Sequence, residues 1–317
     1  MEDFRATAPN TNRLHPLRSL LILLGFILLG MSIGSMIAGA VIVAWAAAGG
    51  NTVTNAFDLL NHPKDFAGSW YLLMFVQGIS HLFSFLVPCL LYLRFIEHRP
   101  AGDLNDRPLS TVQALGVVVL LTIAFMPFDG LIIEWNRNMS LPDSLSGLEN
   151  WMRQKEDQLS ELTTFLTTFT TPWQLAIAIF VIGVIPAIGE EVLFRGLVQR
   201  KLQQWFGNPH LAVWIAALIF SAIHVQFYGF IPRTLLGALF GYLYVWSGNL
   251  WVPILAHFVN NGFTVLMVWL YRRQMVSIDI ENTDSVPLTG ALFSLLLTVG
   301  FLIYFRRSNQ LPSHPYV

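Results

Sequence analysis

The chain has 317 residues, of which 54% are hydrophobic and 12% charged. An average soluble domain carries roughly a quarter charged residues, so this composition excludes a soluble enzyme. The net charge of -1, from 18 Lys+Arg and 19 Asp+Glu, provides no long-range field to draw nucleic acid.

Spans of about 20 apolar residues are needed to cross a ~30 Å hydrocarbon core, and uninterrupted apolar sequence supplies them at about 18–46, 70–95, 111–133, 174–193, 210–228, 231–247, 250–271 and 288–305. The expected fold is all-α, a polytopic transmembrane helical bundle of about eight spans. The first span follows a polar segment with Arg5, Arg13 and Arg18 and is too long for a cleaved signal, which predicts a retained anchor helix. Its Gly30, Gly34, Ser35 and Gly39 form the small-xxx-small spacing that lets membrane helices approach closely. Cys89 lies in the second span, the only cysteine of the chain, so it forms no internal disulfide and reads as a small buried hydrophobe.

Between the third and fourth spans, Leu148, Trp151, Leu159, Leu162, Phe165, Leu166 and Phe169 recur at helical spacing among polar residues. This reads as an amphipathic helix, lying either in the membrane interface or against the bundle. Lys and Arg counts favour one side of the membrane: Arg5, Arg13, Arg18, Arg94, Arg99, Arg107, Arg200, Lys201, Arg306 and Arg307 fall together if both termini are cytoplasmic. Lys64, Arg137, Arg153, Lys155, Arg233, Arg272 and Arg273 fall on the other side, the last two followed closely by Asp279, Glu281 and Asp284.

Ionisable groups inside apolar spans are costly unless they line a polar cavity. Three segments carry them. The fourth span runs into Gly189-Glu190-Glu191-Val192-Leu193-Phe194-Arg195-Gly196, the fifth ends near Phe220-Ser221-Ala222-Ile223-His224, and the seventh contains His257-Phe258-Val259-Asn260-Asn261. Adjacent helical residues point about 100° apart, so Glu190 and Glu191 cannot serve one site equally. Arg195 follows Glu191 by four residues in the favoured order, which predicts a neutralised Glu191–Arg195 pair and leaves Glu190 as a carboxylate without a cation, suited to general-base work. His257 and Asn261 share a face at i,i+4. They suit either two donors to one oxyanion or an interhelical hydrogen-bonding device.

Glu-Glu-xxx-Arg at 190–195, Phe-xxx-His at 220–224 and His-xxx-Asn at 257–261, in that order on successive apolar helices, resemble the signature of the CPBP family, the CAAX-prenyl proteases and bacteriocin-processing (Abi) proteins. The resemblance covers about 172–272 and includes Gly237-xxx-Gly241. It implies N-terminal membrane helices with the amphipathic helix over 1–171, a catalytic four-helix core over 172–272, and a last span with a cytoplasmic tail over 273–317. It further implies a glutamate-dependent intramembrane endopeptidase. Glu190 would be the base activating water, His224 would hold that water, and His257 with Asn261 would stabilise the oxyanion, with Glu191 and Arg195 in support. The implied substrate is a membrane-associated protein or peptide, lipid-modified in the prenyl-protease branch, met in the lipid bilayer.

Two alternatives stand beside it. Glu190, His224 and His257 also make a His₂-Glu set for zinc with an open water position, although no His-Glu-xx-His helix is present and the expected mechanism uses no cofactor. A non-catalytic membrane protein, such as a bacteriocin-immunity factor, is the other. Straight helices would put His224 and His257 about 14 Å apart in depth, so the fifth span is expected to end inside the membrane, with 225–233, including Gly229 and Pro232, turning back to line a cavity. Pro186 and Gly189 are expected to bend the fourth helix before Glu190.

Overall fold

The computed structural model describes residues 14–49, 58–59, 62–280 and 286–309. Arg5, Arg13, Glu281 and Asp284 lie outside the described residues. The nine longer helices among those described are α1 (Pro16–Ala48), α2 (Ser69–Phe95), α3 (Val112–Arg137), α4 (Ser146–Thr167), α5 (Pro172–Phe206), α6 (Pro209–Ala222), α7 (Phe230–Ser247), α8 (Trp251–Arg272) and α9 (Leu288–Ser308). Six of them, α1, α2, α3, α5, α8 and α9, are long and apolar enough to cross a membrane, and the fold is an all-α polytopic bundle.

Three expected spans are corrected, the sixth because 231–247 forms α7, which is not among the six helices long and apolar enough to cross. The fourth does not stop at 193: α5 runs on to Phe206 as a 35-residue helix, about 50 Å long, so Glu190 and Glu191 sit near its middle. The fifth stops at Ala222 after 14 residues, about 21 Å and short of a full crossing. The chain turns over 223–229 and re-enters helix at Phe230. Val225 takes φ 54 in this turn, a left-handed conformation that strains a β-branched residue.

Local sequence sets the helix ends. Thr171 and Gln174 form a reciprocal capping box before α5, and Asn208 caps α6 ahead of Pro209. Pro127 interrupts the hydrogen-bond ladder of α3, and Ser294 of α9 mends it: its hydroxyl accepts from the Phe128 N–H at 3.0 Å and donates to the Ala124 carbonyl. This is how a proline is tolerated in a membrane helix.

Lipid tails are as apolar as leucine, so helices here associate through close packing and polar links. α5 is the centre, with 67% of its most apolar stretch buried, against 17% for α1. One core joins Leu23 of α1 and Cys89, Tyr92 and Leu93 of α2 to Ala187, Phe194 and Leu197 of α5 and Ala216 and Phe220 of α6. A second core unites α3, α7, α8 and α9 around Leu121, Phe240, Val252 and Phe305. The small-residue stripe of α1 is used in part. A Cβ on Gly30 would fall 2.2 Å from the Phe83 carbonyl and one on Gly34 2.8 Å from Phe83 Cβ, whereas Gly39 meets nothing. α4 lies against the bundle, placing Phe165 and Leu166 in a core with Trp70, whose indole N–H donates to the Leu166 carbonyl at 2.9 Å.

One end of the bundle is laced by charge. Arg200 contacts Asp106 at 2.9 Å and 3.1 Å, Glu97 is held by Lys201 and Arg99, and Arg107 donates to the carbonyls of Trp246 and Asn309.

Candidate active site

Glu190 and Glu191 are both buried, at 4% and 0% exposure, on a stretch of α5 flanked by wide π-helical turns over Ile179–Val184 and Val192–Gln199. Such turns are frequent at functional sites. Pro186 does not break the helix. It lacks the N–H that the Ile182 carbonyl would take in an α-turn, and the Asn261 carboxamide of α8 donates to that carbonyl at 3.1 Å.

Arg195 is 1% exposed. Its Nη1 donates to Glu191 Oε1 at 2.9 Å and its Nη2 to the Gly237 carbonyl at 2.7 Å, while its guanidinium packs over the rings of Phe220 and Phe240. The Gly237 carbonyl is reachable because a side chain there would press on Ala217 and Phe220 at 3.2 Å. Gly241 repeats the device one turn on, its carbonyl accepting from Gln199 at 3.2 Å.

His257 Nδ1 lies 2.8 Å from Glu191 Oε1. An ionised carboxylate only accepts, so Nδ1 carries the proton and the ring presents Nε2 to Glu190, 3.9 Å from Oε2. That separation is wide for a direct hydrogen bond and suits a bridging water. Phe240 stacks on the imidazole at 5.3 Å and fixes its plane.

His224 is positioned by the turn after α6. Its Nδ1 lies 2.7 Å from the Phe220 carbonyl, which likewise accepts only, so Nε2 is left for another partner. Phe220 is flanked by both imidazoles, with centroid distances of 5.1 Å to His224 and 6.3 Å to His257. The depth conflict expected of straight helices is resolved because α6 ends early and the chain folds back. Asn261 is half-buried, its Oδ1 accepting from Asn260 at 3.1 Å. One of its two amide hydrogens goes to Ile182, which leaves one unassigned.

Sequence reading gave Glu190 no neighbour from α2. His81 of α2 brings Nε2 to within 3.2 Å of Glu190 Oε1. Its signal was present, an ionisable residue inside an apolar span, but nothing in its neighbourhood matched the three motifs. A cavity of about 500 Å³ lies between α2 and α4 and meets the site residues at His224, its lining including Leu73, Gln77, Lys155, Leu159 and Leu162. Among the described residues, no group of three or more His, Cys, Asp or Glu side chains is arranged to hold a metal ion.

Residues 172–263 match the family model described as type II CAAX prenyl endopeptidase Rce1-like. Over these residues the chain is similar to the CPBP family. Three bacterial relatives are each similar to part of the chain. The "Uncharacterized protein YpbD" of Bacillus subtilis is 39% identical over 80 residues, 24% of this chain and 38% of that protein. The "Putative membrane peptidase YdiL" of the same organism is 32% identical over 115 residues, 36% of this chain and 46% of that protein. The "Membrane-embedded CAAX protease MroQ" of Staphylococcus aureus is 33% identical over 99 residues, 29% of this chain and 40% of that protein. The matches thus span less than half the length of each relative, and no solved structure gives a significant match. The matched residues include Glu190, Glu191, Arg195, His224, His257 and Asn261, whereas His81 lies outside them.

Proposed function

We propose that this integral membrane protein is an endopeptidase that hydrolyses a peptide bond with a water activated by Glu190. The observation that carries the reading is the division of labour between adjacent carboxylates. Glu191 is engaged by Arg195 and His257, while Glu190 faces imidazole nitrogens across gaps of 3.2 Å and 3.9 Å. The Rce1-like match and the relatives named as membrane peptidase and CAAX protease support the same reaction class.

In this mechanism a water is held between Glu190 and His224 Nε2. Glu190 takes one proton as the water oxygen attacks the scissile carbonyl carbon. The oxyanion is stabilised by the remaining Asn261 N–H and by His257, whose Nε2 must also carry a proton to donate, so that both donors act where charge develops. Collapse breaks the C–N bond, and the proton held by Glu190 passes to the leaving amine. The products are one carboxylic acid and one amine, which balances the water consumed. Glu191 and Arg195 orient His257, as outer partners do for catalytic imidazoles. No metal takes part, and the His₂-Glu zinc reading is tested by cleavage in a zinc-free preparation after chelation, where full activity is expected.

The cavity between α2 and α4 supports entry of a membrane-associated peptide, lipid-modified or not, from the side of the bundle. The charge-laced end of the bundle, with Arg94, Arg99, Arg107, Arg200 and Lys201, supports placing that end and both termini in the cytoplasm.

The deciding experiment is Glu190→Gln in the full chain. Cleavage of membrane peptides, followed by comparative proteomics against wild type, is expected to fall by at least about 10²-fold, within the range of general-base contributions, with folding unchanged. Wild-type cleavage by the variant would overturn the hydrolase reading in favour of a binding role.

A further inference from the structure

α2 lies outside the residues that match the family model, yet it reaches the centre of the site. Its path is fixed on two sides. Towards α5, a Cβ on Gly189 would come 3.2 Å from Phe85 Cβ and one on Gly78 3.5 Å from Ile185 Cδ1, so the two helices touch just beside the glutamates. Towards α1, Gly30 and Gly34 close on Phe83. Between these contacts α2 widens into a π-helical turn over Leu82–Leu86, immediately after His81. Phe85 stacks on the His81 imidazole with centroids 4.5 Å apart, which holds the ring plane against α5.

The His81 side chain is 11% exposed and the Glu190 side chain 5%. His81 Nε2 stands 3.2 Å from Glu190 Oε1 but is not aligned as a hydrogen bond, and among the described residues it has no other hydrogen-bond partner. A buried polar nitrogen left without a partner is costly, and packing alone would be met by phenylalanine on the same stack. The position of this nitrogen, against one oxygen of the carboxylate while His257 faces the other, is what requires a histidine.

We propose that His81 is a positioning residue for Glu190: it fixes one carboxylate oxygen, so that the other oxygen is presented to water. The N-terminal helices thereby complete the active site rather than only anchoring it. This rests on the reading of Glu190 as the base. The other charged or titratable groups acting on Glu190 are His257 from α8, His224 from the turn after α6, Arg233 from α7, and Glu191 and Arg195 on α5 itself. His81 is the contribution of α2.

The test uses the full chain in liposomes as wild type, E190Q, H81F and H81Q, with thermal unfolding as a folding control. Two readouts are taken: cleavage of a fluorogenic membrane-peptide pool, and the infrared carboxyl stretch of Glu190, identified by its loss in E190Q. For H81F, kcat is expected to fall by about 10–100-fold, the usual effect of removing an orienting partner, with KM within about twofold. At equal pH its Glu190 carboxyl band should be shifted and broadened relative to wild type, as for a carboxylate that has lost a fixed neighbour. H81Q, which keeps a donor, should recover part of both, and it replaces H81F in the comparison if the latter does not fold. Wild-type kcat and an unchanged carboxyl band in the His81 variants overturn the assignment, whatever E190Q does. An active E190Q overturns the hydrolase reading instead, and the carboxyl band alone then decides whether His81 acts on Glu190.

Discussion

His257 Nδ1 stands 2.8 Å from the same Glu191 oxygen that Arg195 approaches at 2.9 Å. A single carboxylate oxygen thus orients the imidazole on α8 and neutralises the guanidinium one turn along its own helix. The remaining oxygen, Glu191 Oε2, is buried without a hydrogen bond among the described residues, and rotating the side chain away would strand both partners of Oε1.

Glu191→Gln removes the charge that fixes the His257 tautomer. The expected result is a kcat lower by about 10–100-fold with KM little changed, read by steady-state cleavage of a fluorogenic peptide pool. Equal losses in kcat and binding would mean that Glu191 contacts substrate instead.

Arg195→Met leaves Glu191 buried with only His257 as partner. Breaking a buried pair from one side costs about 3–5 kcal/mol, and denaturant unfolding in detergent should show a loss of that order. The double variant Arg195→Met/Glu191→Gln should lose less than the two single losses added together, because the stranded charge is gone.

Gly30→Leu places side-chain atoms where the Phe83 carbonyl and Pro88 already sit, at 2.2 Å and 2.4 Å from the new Cβ. α1 must move off α2, and the π-helical turn after His81 loses its outer support. Lower thermal stability is expected together with reduced cleavage. Gly39→Leu, which meets nothing, serves as the control and should leave both unchanged.

Val225 holds φ 54 directly after His224. Asparagine tolerates this conformation better than a β-branched residue, so Val225→Asn should stabilise the fold by roughly 1 kcal/mol. Thermal unfolding checks it, and a destabilised variant would show that Val225 packing outweighs the backbone strain.

Glu97 lies outside the spans. Burial works to raise its pKa, but Lys201 and Arg99 prevail and hold it below the usual carboxylate range. A depressed folded-state pKa contributes stability above the ordinary value of 4.5, which is lost as pH falls through the lowered folded value. Unfolding midpoints measured from neutral pH down into the acid range should converge between wild type and Glu97→Gln at the acid end and differ at neutral pH.

The sequence alone determined the bundle. Apolar length is a local property, and the spans at 18–46, 70–95 and 288–305 lie within a few residues of the helices Pro16–Ala48, Ser69–Phe95 and Leu288–Ser308. The fourth and fifth spans were misjudged where polar residues interrupt the apolar run, because the burial that stabilises such residues comes from neighbouring helices. The i,i+4 spacing likewise made Glu191 with Arg195 and His257 with Asn261 legible as sharing helix faces. Only tertiary structure decided how those faces combine: that Glu191 serves His257 as well as Arg195, that Asn261 spends one hydrogen on the Ile182 carbonyl beside Pro186, and that His81 reaches Glu190 from 109 residues away in the chain. The reason is physical. Spacing along one helix is set by its own 1.5 Å rise, whereas an approach between helices depends on where glycines and aromatic rings let two backbones touch, as Gly189 and Phe85 do.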